Sequence, residues 1–212
     1  MPYVFAVISV IASYLIGSVS FSIVIGRMLK GIDIRKHGSG NAGATNTLRV
    51  LGIGPGVAVF LLDTLKGTAA VALGWWAASG LDGAHAAWVP VLSGLAAVAG
   101  HNWPAYFVFK GGKGIATTIG VMAPLAFWPM VISGAAAIAV IAITRYVSLG
   151  SLVMAASLPA LAVAFRADPA VIAGAVVIAV LAFVRHRRNI VRLANGTENR
   201  LGSRKKRESH DA

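Results

Sequence analysis

Between Tyr3 and Arg185 the chain is a succession of apolar stretches, at 3–25, 54–79, 86–101, 115–124, 127–144, 149–165 and 169–185. A hydrocarbon core about 30 Å thick takes roughly 20 residues of helix to cross. Inside it a backbone must satisfy its own hydrogen bonds, which leaves helices or a closed barrel. Long runs without strict alternation select helices. Charged residues make up 12% of the chain, about half the share usual for a soluble domain, and the mean hydropathy is +0.77. The chain is therefore expected to be an all-α integral membrane protein, a compact bundle of about seven transmembrane helices. Two of them, 86–101 and 115–124, are short, and 115–124 is read as a crossing or as a half-helix facing protein. The stretch 3–25 has no basic segment before it and no small-residue cleavage site after it, so it reads as a retained helix and not a signal peptide. Runs such as "GAAAIAVIAI" (134–143) and "AGAVVIAVLA" (173–182) let helices approach closely.

The net charge is +12. In a membrane protein the placement of basic residues matters more than the total, because basic loops stay in the cytoplasm. Seven crossings with the N-terminus outside put the loops 26–53, 102–114, 145–148 and 186–212 together on the cytoplasmic side, with most of the 19 Lys/Arg. The other side keeps 79–86, the turn near Pro124 and 165–169. The C-terminus is thus expected in the cytoplasm, with 202–212 a disordered basic tail near anionic headgroups. No nucleic-acid partner is expected. The chain has no cysteine, which rules out disulfides and thiolate chemistry.

Three polar islands fall on the cytoplasmic side: "KHGSGNAGATNTLRVLG" (36–52), "GHNWPAYFVFKGGKGIATT" (100–118) and "RHRRNIVRLANGTENRLG" (185–202). They contain a single acid, Glu198, so paired carboxylates for general acid–base work are lacking. They offer donors instead: guanidinium, ammonium, amide and glycine-exposed backbone N–H groups, the equipment for binding phosphate. In the first island Gly38, Gly40 and Gly43 permit close backbone approach, Ser39, Asn41 and Thr45 add small polar groups, and Asn46 and Arg49 lie three apart on an expected helix. The run reads either as an anion cradle or as a flexible loop; it is not a nucleotide P-loop, since G-x-x-x-x-G-K-[ST] does not occur. In the second, Lys113 sits between Gly112 and Gly114 at the start of a short helix that carries Thr117. His101 and Asn102 close the preceding span, with Trp103 and Tyr106 read as interfacial belt residues. In the third, Arg185, Arg188 and Arg192 share a face, as do His186 and Asn189. Asp63 and Lys66 lie three apart inside a span, either as an orienting ion pair or with Lys66 reaching a phosphate site. No metal-ligand cluster is visible.

The motifs "GSGNAGATN" with Arg49, "DTLKG", "GHNWP…FKGGKGIAT" and "RHRRNI…GTE", in this order and between matching spans, resemble the bacterial acyl-phosphate:glycerol-3-phosphate acyltransferases over nearly the whole chain. The resemblance implies a single transmembrane acyltransferase domain over 1–201. It also implies transfer of a fatty acyl group from acyl phosphate to the sn-1 hydroxyl of glycerol 3-phosphate. The products would be lysophosphatidic acid and phosphate, the first step of phospholipid synthesis. It further implies a multi-pass protein of the bacterial inner membrane, acting as a monomer without cofactor or metal, with its site on the cytoplasmic side. In keeping with a donor other than a thioester, no Asp stands five residues after His37, His85, His101 or His186. Ser39, Arg49, His101 and Lys113 are then expected at the reacting centre. Gly38, Gly40, Asn41, Gly43, Thr45, Asn46, Lys66, Asn102, Gly112, Gly114, Thr117, His186, Asn189, Arg192 and Glu198 are expected to hold the two phosphates and orient the hydroxyl.

Overall fold

A computed structural model describes residues 2–202, whose regular structure is all helical, with no strand among these residues. Nine α-helices follow one another: α1 (Pro2–Ser18), α2 (Phe21–Lys30), α3 (Ala44–Leu51), α4 (Ile53–Ala78), α5 (Ala84–Asn102), α6 (Ile115–Leu125), α7 (Phe127–Thr144), α8 (Val147–Ala164) and α9 (Pro169–Ala194). Short 3-10 turns occur at Ile34–Lys36 and Ala105–Phe107. The residues read as a basic tail lie, from 203 onward, outside the described part.

Among the described residues five segments are long and apolar enough to cross a membrane: Tyr3–Lys30, α4, α7, α8 and α9. The two expected short spans form as α5, 19 residues ending on His101 and Asn102, and α6, 11 residues. The first span departs from expectation. It is not one helix over 3–25: α1 stops at Ser18, and α2 restarts at Phe21 and runs to Lys30. The cause is non-local. The Val19 carbonyl, which a continuing helix would engage, accepts a hydrogen bond from Lys66 Nζ at 2.7 Å.

α1 packs on α4 and α5, α4 on α5 and α6, and α7, α8 and α9 follow in sequence, with α9 returning to α5. Glycines set the closest approaches. A Cβ at Gly17 would collide with the Ala97 backbone, and one at Gly100 with the Tyr14 carbonyl, which locks α1 to α5; Gly67 and Gly120 do the same for α4 and α6 against Thr117 and Thr64. The core is filled mainly by Val71, Val91, Val98, Val121, Met122, Met154, Leu158 and Ile178. Many large apolar side chains on the outer faces are exposed, among them Ile8, Ile11, Leu65, Ile138 and Val180. That is the distribution expected of a bundle whose outer solvent is lipid.

Candidate active site

The chain between α2 and α4 folds around one amide. Asn46, on α3 and 1% exposed, donates from Nδ2 to the carbonyls of Ile34 (3.1 Å) and His37 (3.0 Å), and its Oδ1 accepts from the Ser39 N–H at 2.8 Å. Gly38 and Gly40 adopt φ of +61° and +74°, left-handed values that an L side chain rarely takes. A Cβ at Gly38 would also strike Asn46. Gly43 caps α3 in an extended conformation, and Ser39, Gly38 and Gly40 face solvent. The amide of Asn46 is thus spent on the loop itself. Its part is to shape the cradle.

The second island passes directly over the end of α5. The Gly112 N–H donates to the His101 carbonyl at 3.1 Å, and a Cβ at Gly112 would collide with the His101 ring and the Ala42 carbonyl. Only glycine lets this strand lie between the first island and α5. Val108 and Phe109 have φ of +56° and +55°. Left-handed backbone at non-glycine residues costs about 1–3 kcal/mol each and persists only where the surroundings enforce it. Backbone bonds close the turn itself, from the Phe109 N–H to the Pro104 carbonyl at 3.0 Å and from the Lys110 N–H to the Phe107 carbonyl at 3.2 Å, and two arginines brace the loop on either side. Arg35, paired with Asp33 at 2.7 Å, donates to the Phe107 carbonyl at 2.9 Å. Arg185 donates to the Gly112 carbonyl at 2.6 Å and to that of Gly111 at 3.1 Å, with its guanidinium 5.5 Å from the Trp103 ring centre. Asp33 is held at a pKa of about 2 by its hydrogen bond from the Arg35 side chain, which outweighs burial. Arg185 is therefore a loop fastener in addition to a basic residue. Trp103 does more than mark an interface: its carbonyl accepts from the Tyr14 hydroxyl at 2.8 Å.

Lys113 meets the third island. Its Nζ stands 2.5 Å from Asn189 Oδ1. Asn189 Nδ2 donates to Glu198 Oε1 at 2.7 Å, Ser148 Oγ donates to the same oxygen at 3.0 Å, and Arg192 Nε donates to Oε2 at 2.7 Å. Arg49 reaches across from α3 to the Asn199 carbonyl at 3.3 Å. His186 Nδ1 lies 2.8 Å from the Ala182 carbonyl; a carbonyl only accepts, so the neutral ring keeps its hydrogen there and offers Nε2 as acceptor. All three islands thus converge at one end of the bundle. Burial pushes the Lys113 ammonium down to about 8, with Glu198 opposing and Arg192, Arg49 and Arg185 adding to the fall. For Glu198 burial acts upward, but the bonds from Arg192, Asn189 and Ser148 prevail and hold the carboxyl below its usual range. Around Lys113, then, three guanidiniums, those of Arg192, Arg49 and Arg185, stand against the single carboxylate of Glu198 among the described groups that act on it, a surplus of positive charge that suits an anion.

Behind the second island, Lys66 Nζ stands 2.7 Å from Asp63 Oδ1, and His101 Nδ1 is 3.5 Å from the same oxygen, both pairs buried. Lys66 thus forms the orienting ion pair, and it also bonds the Val19 carbonyl. Neither amide atom of Asn102 and not the Thr117 hydroxyl meets a partner among the described residues, although both residues are fully buried. The Asn102 oxygen abuts Gly114, which caps α6 at φ +80°. Buried polar groups without partners are rare enough to mark a place for a ligand or water. Sequence reasoning missed Ser148 and Arg35. Ser148 looks like any polar residue opening an apolar helix, and Arg35 looks like a loop charge.

Residues 7–196 match the family model described as glycerol-3-phosphate acyltransferase. The glycerol-3-phosphate acyltransferase of Halalkalibacterium halodurans is 53% identical over 201 residues, 92% of this chain and 95% of that one. The enzyme of Shouchella clausii is 51% identical over 200 residues, 92% and 96% of the two chains. A crystal structure of PlsY (YgiH), an integral membrane glycerol 3-phosphate acyltransferase, in its glycerol 3-phosphate form superposes with a TM-score of 0.86 at 41% identity, covering 93% of this chain and 96% of that one. Its lysophosphatidic acid form gives 0.83 at 40% identity, covering 93% and 95%. With four motifs in register and the donor cluster at one end of a helical bundle, this chain belongs to the glycerol-3-phosphate acyltransferase family.

Proposed function

We propose that the protein transfers a fatty acyl group from acyl phosphate to the sn-1 hydroxyl of glycerol 3-phosphate, giving lysophosphatidic acid and inorganic phosphate. The observation that carries this reading is Lys113. It is a half-buried ammonium whose hydrogen-bond partner among the described residues is an amide oxygen, set among Arg49, Arg185 and Arg192. Such a cluster is stabilised by a bound phosphate. The family membership and the two forms of PlsY support the acceptor and product.

Acyl phosphate is a mixed anhydride and needs no covalent nucleophile. In the proposed step the sn-1 oxygen attacks the acyl carbon, the bond from that carbon to the phosphate oxygen breaks, and the departing phosphate takes the hydroxyl proton. Positioning and charge stabilisation then carry the barrier. The cradle over Gly38–Asn46, with Ser39, Asn41, Thr45 and Arg49, holds one phosphate. Lys113, Gly112, Gly114, Asn102 and Thr117, with His186, Asn189 and Arg192 beside them, hold the other and orient the hydroxyl. His101, lodged between Asp63 and Gly112, is the alternative proton acceptor. We place the site on the cytoplasmic face of the bacterial inner membrane, because the basic loops cluster there, and read the working unit as a monomer.

Purified protein in detergent or lipid, supplied with glycerol 3-phosphate and palmitoyl phosphate, is expected to release lysophosphatidic acid and phosphate in equal amounts. Absence of both, with the donor verified intact, overturns the reading. A phosphate or phospholipid carrier would instead move substrate across vesicles without forming product.

A further inference from the structure

We infer that Arg35 and Arg185 are paired positioning residues that turn the backbone of the second island so that its N–H groups face the anion; this rests on the proposed phosphate site at Lys113. Arg35 is itself fixed by a bidentate grip on Asp33, Nε at 3.0 Å from Oδ1 and Nη2 at 2.7 Å from Oδ2, which leaves Nη1 for the loop. That nitrogen donates to the carbonyls of Phe107 at 2.9 Å and Lys110 at 3.3 Å. From the other side Arg185 takes the carbonyls of Gly111 and Gly112 through Nη2, at 3.1 and 2.6 Å, and binds Gly112 a second time through Nε at 3.0 Å.

In a planar peptide the N–H points opposite the carbonyl. Drawing the carbonyls of Lys110 and Gly112 onto guanidiniums therefore aims the N–H groups of Gly111 and Lys113 away from them. Neither of these N–H groups meets an acceptor among the described residues, whereas that of Gly112 is taken by His101. The same contacts remove carbonyl oxygens from the neighbourhood of an incoming phosphate, which they would repel. The loop is held by hydrogen bonds, its own from Phe109 to Pro104 and from Lys110 to Phe107 and those of the two arginines. Val108 and Phe109 hold left-handed φ values, and their side chains are 74% and 60% exposed, so packing does not impose that conformation. A guanidinium fork is required because one ammonium cannot span two carbonyls and a carboxylate at once. The two arginines differ usefully: Arg185 is among the charges acting on Lys113, whereas Arg35 is paired with the Asp33 carboxylate at 2.7 Å.

The test uses the full chain with Arg35→Lys, Arg35→Met and Arg185→Lys. Each substrate is titrated against saturation of the other, and backbone amide exchange is followed over 107–114. All three variants are expected to raise KM for glycerol 3-phosphate about tenfold or more, with KM for acyl phosphate within about twofold, and to speed exchange in this loop. The inference is overturned if Arg35→Lys and Arg35→Met keep the wild-type KM for glycerol 3-phosphate, or if Arg185→Lys keeps it, since charge alone would then suffice. Should Arg35→Met fail to fold, Arg35→Lys decides by the same criterion. If wild-type protein forms no lysophosphatidic acid, the proposed function fails instead. The exchange measurement, which needs no turnover, still reports whether the arginines hold the loop, and unchanged exchange in the lysine variants overturns the inference.

Discussion

Two lysines, Lys66 buried and Lys113 half-buried, are treated in opposite ways. Lys66 faces Asp63 at 2.7 Å and the Val19 carbonyl at 2.7 Å, so its charge is matched within the fold. Lys113 has an amide oxygen for a direct partner and guanidiniums for neighbours. A cation neutralised by the protein holds helices together; a cation left short of counter-charge is waiting for a ligand. The sequence shows both simply as Lys beside Gly.

The contrast can be broken at several points. The largest effect is expected for Lys66→Met, which strands Asp63 in the interior. Removing one member of a buried pair costs about 3–5 kcal/mol, read as a fall in the thermal unfolding midpoint, and Asp63→Asn added to Lys66→Met should recover most of it. A single variant as stable as wild type would remove the structural role. Lys113→Ala should do the reverse, leaving stability nearly intact while kcat/KM drops about 10²–10³-fold, the loss typical of one preorganised donor. Equal rates would take Lys113 out of the site. Asn46→Ala, which frees three backbone groups of the first cradle, is expected to destabilise by about 1–3 kcal/mol, checked by denaturant midpoint. Smallest is the pH effect. Lys113 must be protonated to attract phosphate and titrates near 8 in the fold against an ordinary 10.5. Above about pH 8, kcat/KM should fall by up to about tenfold per unit. The unfolded chain keeps this proton up to about 10.5 while the folded one has lost it, so the contribution of Lys113 to stability rises through the same window. Lys113→Arg should flatten the activity profile; an unchanged alkaline limb would assign it to another group.

Local pattern revealed what local forces make. The stretch 127–144 forms as α7 with those bounds, and 54–79 is shifted by one residue as α4, because length and apolarity alone decide such helices. The break after Ser18 was hidden, since the group that stabilises it, Lys66, lies 47 residues downstream. In the site the same division holds. Donor-rich islands and their glycines were readable as residue types. Which donors are used up was not: Asn46 spends its amide on Ile34, His37 and Ser39, and Arg185 spends its fork on Gly111 and Gly112. Both facts belong to distances across the fold and leave no trace in spacing.

α6 has 11 residues and leads at once into α7, which has 18. At 1.5 Å per residue they measure about 16 and about 27 Å. If α7 crosses the hydrocarbon layer, α6 retraces little more than half of it and ends about 10 Å short of the opposite surface. Gly114 and Lys113 stand at that end. The donor cluster then lies about 10 Å below that surface. A water-soluble alcohol and a membrane-dissolved donor can meet there at one depth, and neither has to leave its own solvent to do so.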